Sequence, residues 1–163
     1  MNPDEYYDLF MAVCGVRPLA WIETSSNSGE KRSIPVSFIT PGGTNPATFV
    51  VVLHNRPDGT EKETMQNLRV RKDISLGFLT AAQASAWVSP DVAPTEFAIR
   101  LEGHVEFVRS MGSGAHGTHF VLISIQSVVG LESLNNAGIV GCLGRNELID
   151  PVSKQILPIP AAD

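Results

Sequence analysis

A chain of 163 residues is long enough to bury one sizeable core, and 43% hydrophobic with 18% charged residues is the balance of a globular protein with a modest charged surface. A net charge of −5 argues against the basic patches that a nucleic-acid partner needs. No apolar run reaches the ~18 residues that span a bilayer, and the acidic start Met1-Asn2-Pro3-Asp4-Glu5 lacks the basic-then-apolar order of a signal peptide. Cys14 and Cys142 are too few for a disulfide framework, so reduced thiols and a cytoplasmic location are expected.

Residues 3–14 read as a helix. Asn2 suits the cap, Pro3 the first position, and Asp4 and Glu5 the positive end of the dipole. Tyr6, Leu9, Phe10 and Val13 share one face, and Gly15 ends it. Leu19 to Thr24 and Ile34 to Thr40 read as strands of a hairpin around the turn cluster 25–29, the second ended by Pro41-Gly42-Gly43. Phe49 to Leu53 is continuously apolar, as expected of a strand buried on both faces, and residues 55–59 form a loop. Thr60 and Glu63 match a capping box, which places a short helix with Met65 and Leu68 on its buried side.

Ile74 to Thr80 is a further strand, 81–87 a short helix and 89–94 a loop. Phe97 to Arg109 alternates, with Phe97, Ile99, Leu101, Gly103, Val105 and Phe107 on one face and Arg100, Glu102, His104 and Glu106 on the other. After a Gly-rich turn at 111–117, Phe120 to Leu131 is the last long strand. Residues 135–163 show no periodicity, and read either as a tail wrapping a partner or as a loose segment. The sum is a single, mainly β domain built on an antiparallel barrel.

Several polar residues fall where ligands bind. Lys62 and Thr64 sit at a helix start, where unpaired N–H groups and the dipole favour an anion; the alternative is a solvated lysine. Pro35 removes a donor from its strand, which suits an edge or a gap for a ligand. Thr24, His54 and Asn55 end strands at a barrel mouth, as ligand contacts or as ordinary strand-end polar residues. His116 and His119 have His-x-x-His spacing, but no third ligand is near and the pair straddles a turn, so no metal site is expected. There is no Gly-x-Gly-x-x-Gly fingerprint, Walker loop or Gly-x-Ser-x-Gly elbow.

In chain order, Arg17-Pro18-Leu19, Arg32-Ser33-Ile34-Pro35-Val36-Ser37, Asn45-Pro46-Ala47, Lys62-Glu63-Thr64 and Asn67-Leu68 resemble the motifs of the FMN-binding split barrel of the flavin reductase-like family. The resemblance implies a split antiparallel β-barrel with short helices. It implies FMN, its phosphate at Lys62 and Thr64 and its ring along Pro35, Val36, Ser37 and Phe38. Arg17 would lie near the cofactor or a dimer seam, and Thr24, His54 and Asn55 would contact ribityl or phosphate. His119, opening His119-Phe120-Val121-Leu122-Ile123, resembles a family histidine near the flavin or nicotinamide and is the catalytic candidate. NAD(P)H would be a transient co-substrate giving hydride to the flavin, in a homodimer whose sites are completed by the second subunit. A role as reductase component of a two-component monooxygenase follows.

The sequence departs from the pattern at Arg32, Ile34 and Glu63, where the family usually has Asn, Ala and Asp. Arg32 would pair with a phosphate or be exposed, and Ile34 would press on the ring. Glu96-Phe97 also runs almost directly into Leu101-Glu102-Gly103, without the segment that commonly covers the family's site, and Leu143-Gly144-Arg145 matches only loosely. An open site suits a reductase that releases flavin. The alternatives are a flavin-holding module without turnover, and a repurposed barrel acting without redox chemistry on an apolar metabolite.

Overall fold

The computed structural model describes residues 5, 9, 13–87, 92–130, 138–143, 147–150 and 153–158. The helix expected over 3–14 lies largely outside them, although Glu5, Leu9, Val13 and Cys14 are helical. The first described strand, β1 (Arg17–Pro18), is followed by β2 (Ala20–Ser25), β3 (Lys31–Val36), β4 (Ile39–Thr44) and β5 (Ala47–His54). Helix α1 (Glu63–Val70), β6 (Asp73–Phe78), helix α2 (Ala81–Ser85), β7 (Ile99–Met111) and β8 (Thr118–Val129) come next. Three short strands close the order: β9 (Gly141–Leu143), β10 (Glu147–Ile149) and β11 (Ile156–Pro158).

Seven strands form one antiparallel sheet in the order β3-β2-β6-β7-β8-β5-β4. Its two end strands are consecutive in the chain, joined only through Ser37 and Phe38. Phe38 already bonds to the far side, its carbonyl accepting from the Val52 N–H at 2.8 Å. The backbone therefore carries one sheet edge into the other, and the sheet curls into a barrel, which is how an antiparallel sheet disposes of exposed edges. Ala20 and Ile22, Val51 and Leu53, Leu76, and Val121 and Ile123 meet inside it, and Met65 and Leu68 of α1 plug one end. This is the split-barrel architecture, mainly β, that the resemblance implies.

Ile34 and Val36 stand opposite Ile22 and Ala20 and pack against this core. Ile34 thus presents its side chain to the barrel interior, because the strand's period of two puts it on the face of Ile22. Outside the wall, Trp21 packs with Leu19, Leu79, Trp87, Val140 and Leu148. Its ring lies edge-on to Trp87 with centroids 4.8 Å apart.

Four expectations need correction. Pro41-Gly42-Gly43 does not end the second strand but lies within β4. An edge strand tolerates the missing donor, and a register shift between Pro41 and Gly43 absorbs the irregularity. Phe107 does not share the buried face of β7: it is 55% exposed. A bulge between Val105 and Phe107 sets two β7 steps against one of β8, so the inward phase passes to Val108.

Thr60 is not a helix cap. Its N–H and hydroxyl both donate to Asp58 Oδ1, at 2.8 and 2.7 Å, and α1 begins with Lys62 as an N-cap that has no side-chain cap bond. The capping box belongs to Thr80 and Gln83, at the start of α2. Finally, the described part of 135–163 is not structureless. β9, β10 and β11 join β1 in a four-stranded sheet, pairing Arg17 with Cys142 and Pro18 with Gly141. Gly144 and Arg145 lie outside the described residues.

Candidate functional site

The bend between β3 and β4 puts Ser37 and Phe38 beside β1 and β5. Arg17, 7% exposed, donates from Nη1 to Ser37 Oγ at 2.8 Å, and its guanidinium lies 5.0 Å from the Phe38 ring centroid. Burial pushes the Cys142 thiol up, opposed by Arg17 and Ser37. Phe38 meets His54 edge to face at 5.7 Å. A cavity of about 310 Å³ opens here on the outside of the barrel, lined by Arg17, Ser37, Phe38, Thr40, Val50 and Val52 among others. Ligand pockets begin at about this size. Val50 and Val52 are therefore only half-buried, on a strand expected to be covered on both faces.

Beyond Phe38 and His54 the wall becomes cationic. Burial first, then the charges of Lys62 and His119, hold the His54 imidazole below its ordinary value. Lys62 is itself half-buried, and burial followed by the nearby Arg56 charge holds its ammonium below the usual lysine value. Among the described residues, Lys62 and Arg56 make no side-chain hydrogen bond or ion pair. Lys31, Arg69 and Arg100 are paired with carboxylates at 2.6–2.9 Å. Lys62 thus stands at the uncapped start of an eight-residue helix, where unpaired N–H groups and the dipole favour an anion, and Arg56 lies close by, its charge also felt by the Asp58 carboxyl.

The remaining sequence candidates are placed differently. Thr24 is 2% exposed and its hydroxyl accepts from Asn67 Nδ2 at 3.1 Å, tying β2 to α1. Thr64 is equally buried, on the core side of α1. Pro35 pairs with Trp21, and Val36 faces the core. Asn55 heads the cation-bearing loop, its amide donating to the carbonyls of Gly59 and Gly114 at 3.3 and 2.9 Å. His119 lies inside β8, 5% exposed, with Nδ1 2.8 Å from Ser110 Oγ and Nε2 2.9 Å from Asn55 Oδ1. His116 is exposed in the turn before it. Arg32 pairs with Glu63 at 2.9 Å and Glu30 at 3.1 Å, so neighbouring carboxylates satisfy it. Sequence reasoning missed Arg56; its signal was a cation in the same loop as Lys62.

Two surfaces of the barrel contrast. On one, Arg100 bridges Glu23 and Glu102 at 2.7 Å each, Lys31 joins Glu23 at 2.9 Å, and Ser75 donates to Glu102, around a polar cavity of about 390 Å³. Each charge in that network has its counter-charge. On the other, Val50 stands opposite Leu122 and Val52 opposite Phe120 across β5 and β8, Phe107 of β7 stands opposite Leu122, and the exposed Arg109 stands opposite Phe120, so the outer face is largely apolar with one cation in it. Phe107 and Met111 are each 55% exposed there and Phe120 37%.

No family model matches the chain. Solved structures define its class: the fold is that of flavin reductase-like split-barrel proteins. Nitrilotriacetate monooxygenase component B from Bacillus cereus superposes with a TM-score of 0.78 at 13% identity, over 100% of this chain and 94% of that one. The 2-nitrobenzoate 2-nitroreductase of Pseudomonas fluorescens gives 0.74 at 17% identity, over 99% and 93%. The styrene monooxygenase flavin reductase of Pseudomonas putida S12 gives 0.63 at 14% identity, over 99% and 100%. By sequence, an uncharacterized protein of Aquifex aeolicus strain VF5 is 27% identical over 77 residues, 47% of this chain and 39% of that protein. An uncharacterized protein of Halalkalibacterium halodurans is 32% identical over 72 residues, 41% and 34%. These sequence matches thus span about two fifths or less of those relatives. Among the described residues, no helix is long and apolar enough to cross a membrane.

Proposed function

We propose that this chain is a flavin-dependent oxidoreductase that binds FMN on the outside of the barrel. The carrying observation is the unpaired pair Arg56 and Lys62 at the start of α1. A phosphate monoester brings about two negative charges at neutral pH, and it would relieve their repulsion while accepting from the free helix N–H groups. The residues present fit the cofactor: Arg56 and Lys62 would hold the phosphate, and Ser37, Phe38 and His54 would flank the rest in the adjoining cavity. When bound, the flavin supplies hydride acceptance from NAD(P)H. The chain's own part is to bind and orient, and no side chain is assigned as acid or base.

The split-barrel neighbours include a monooxygenase component and a monooxygenase flavin reductase. That supports the finer reading of a reductase component serving a separate oxygenase. The apolar face around Phe107, Phe120 and Met111 supports a homodimer that buries it. Adding FMN to the purified protein, washing and recording the absorption spectrum tests the reading. A retained flavin band, or quenched flavin fluorescence during titration, is expected. No uptake at any FMN concentration would refute it and favour a pocket for an apolar metabolite.

A further inference from the structure

The loop that carries Arg56 and Lys62 is held by a directed chain of hydrogen bonds, and the geometry points to His119 as its keystone: a positioning residue for the anion site rather than a group that touches the nicotinamide. The inference rests on the anion site proposed above. The direction of each bond follows from what each group can do. Carbonyl oxygens only accept, so the Asn55 amide nitrogen faces Gly59 O at 3.3 Å and Gly114 O at 2.9 Å and both its protons are used. Asn55 Oδ1 must then accept, and its partner at 2.9 Å is His119 Nε2, which therefore carries a proton. In the neutral ring Nδ1 accepts from the Ser110 hydroxyl at 2.8 Å. Ser110 in turn accepts from Arg69 Nη2 at 3.3 Å, since a guanidinium only donates.

Arg69 also grips Glu61, with Nη2 2.6 Å from Oε1 and Nε 3.1 Å from Oε2, and Glu61 Oε1 lies 3.7 Å from His119 Nε2. The chain thus starts at Arg69, which donates both to Glu61, next to Lys62, and through Ser110 and His119 to Asn55, next to Arg56. Both ends of one loop are pinned by one network rooted in a histidine that is 5% exposed. The packing is built for it. A Cβ on Gly117 would stand 2.2 Å from Asn55 Nδ2, so only glycine lets that amide reach Gly114. The Gly117 carbonyl also accepts from the Asn55 N–H at 2.9 Å. The loop's own backbone bonds, Arg56 N–H to Thr60 O and Gly59 N–H to Arg56 O at 2.9 Å each, shape its turn, and the His119 network sets where that turn stands against the barrel.

The test compares His119→Gln, His119→Ala and Gly117→Ala with the wild type. Glutamine offers a donor and an acceptor at the reach of the imidazole, so it should keep the chain. Amide exchange of residues 55–62, read by hydrogen–deuterium exchange, should stay at wild-type protection in His119→Gln and rise in the other two variants. FMN affinity should fall about tenfold in those two, the loss of roughly one charge-assisted contact, while riboflavin, which lacks the phosphate, keeps its affinity. Gly117→Ala leaves the histidine in place, so it decides the matter should His119→Ala not fold. Unchanged exchange in the alanine variants, equal damage by glutamine, or equal loss of riboflavin would overturn the assignment. If the wild type takes up neither flavin, the flavin reading fails, and the exchange comparison still decides whether His119 pins the loop.

Discussion

Replacing Lys62 by methionine keeps an apolar stem and removes one charge. Charge-assisted hydrogen bonds contribute about 1.5–3 kcal/mol, and about 1.4 kcal/mol is a tenfold change in affinity. Lys62→Met should therefore weaken FMN about 10- to 100-fold by these magnitudes. The structure favours the upper part of that range. Lys62 is already half-buried, and burial followed by the Arg56 charge holds its ammonium below the usual lysine value, so a phosphate need strip little water from it. The same facts predict that the free protein loses no stability, since the substitution removes a strained charge rather than an ion pair. The assay is fluorescence quenching of FMN and riboflavin in parallel, with a thermal melt of the free protein. Equal weakening of both flavins, unchanged FMN affinity, or a lowered melting temperature would refute the reasoning.

Three further outcomes follow. Gly77→Ala sets a Cβ 2.5 Å from the Phe97 ring, which itself packs on Trp21 at 6.1 Å; overpacking of this kind costs about 1–3 kcal/mol, read by chemical denaturation, with a change in tryptophan emission. Replacing Phe107 and Phe120 by serine should convert a dimer to a monomer in light scattering, and an unchanged mass would remove the face from the interface. The folded-state pKa of His54 lies below its unfolded value of 6.5. Below pH 6.5 the unfolded chain binds more protons at this site, so its contribution to stability is present above that pH and fades as pH falls towards the folded value. His54→Gln should flatten the stability profile just below pH 6.5, and an unaltered profile would show that burial does not perturb this histidine.

The barrel strands were legible because alternation and β-branched runs are local signals, and the order of short motifs carried the split-barrel resemblance. What failed was decided elsewhere in the chain. Phe107 continued an unbroken alternation, yet a bulge formed against β8 turned it outward. Thr60 and Thr80 both head capping-box patterns, and Asp58 decides between them by taking the Thr60 hydroxyl at 2.7 Å. Strands of three residues, such as those of β9, β10 and β11, are too short to show a period. At the site, position at a helix start offered Lys62 as one of two readings, and Ser37 came from the resemblance. The roles of Thr24, Arg32 and His119 depend on Asn67, Glu63 and Asn55, contacts that the fold creates and no spacing announces.

If this barrel binds flavin for redox turnover, a nicotinamide must reduce the bound flavin. The most direct test is an anaerobic spectrum of the FMN-loaded protein during addition of NADH, then NADPH. At least one nicotinamide should bleach the flavin band faster than it bleaches free FMN at the same concentration, and the colour should return on admitting air. A flavin band that neither nicotinamide bleaches faster than free FMN would contradict redox turnover, leaving a protein that holds flavin without turning it over.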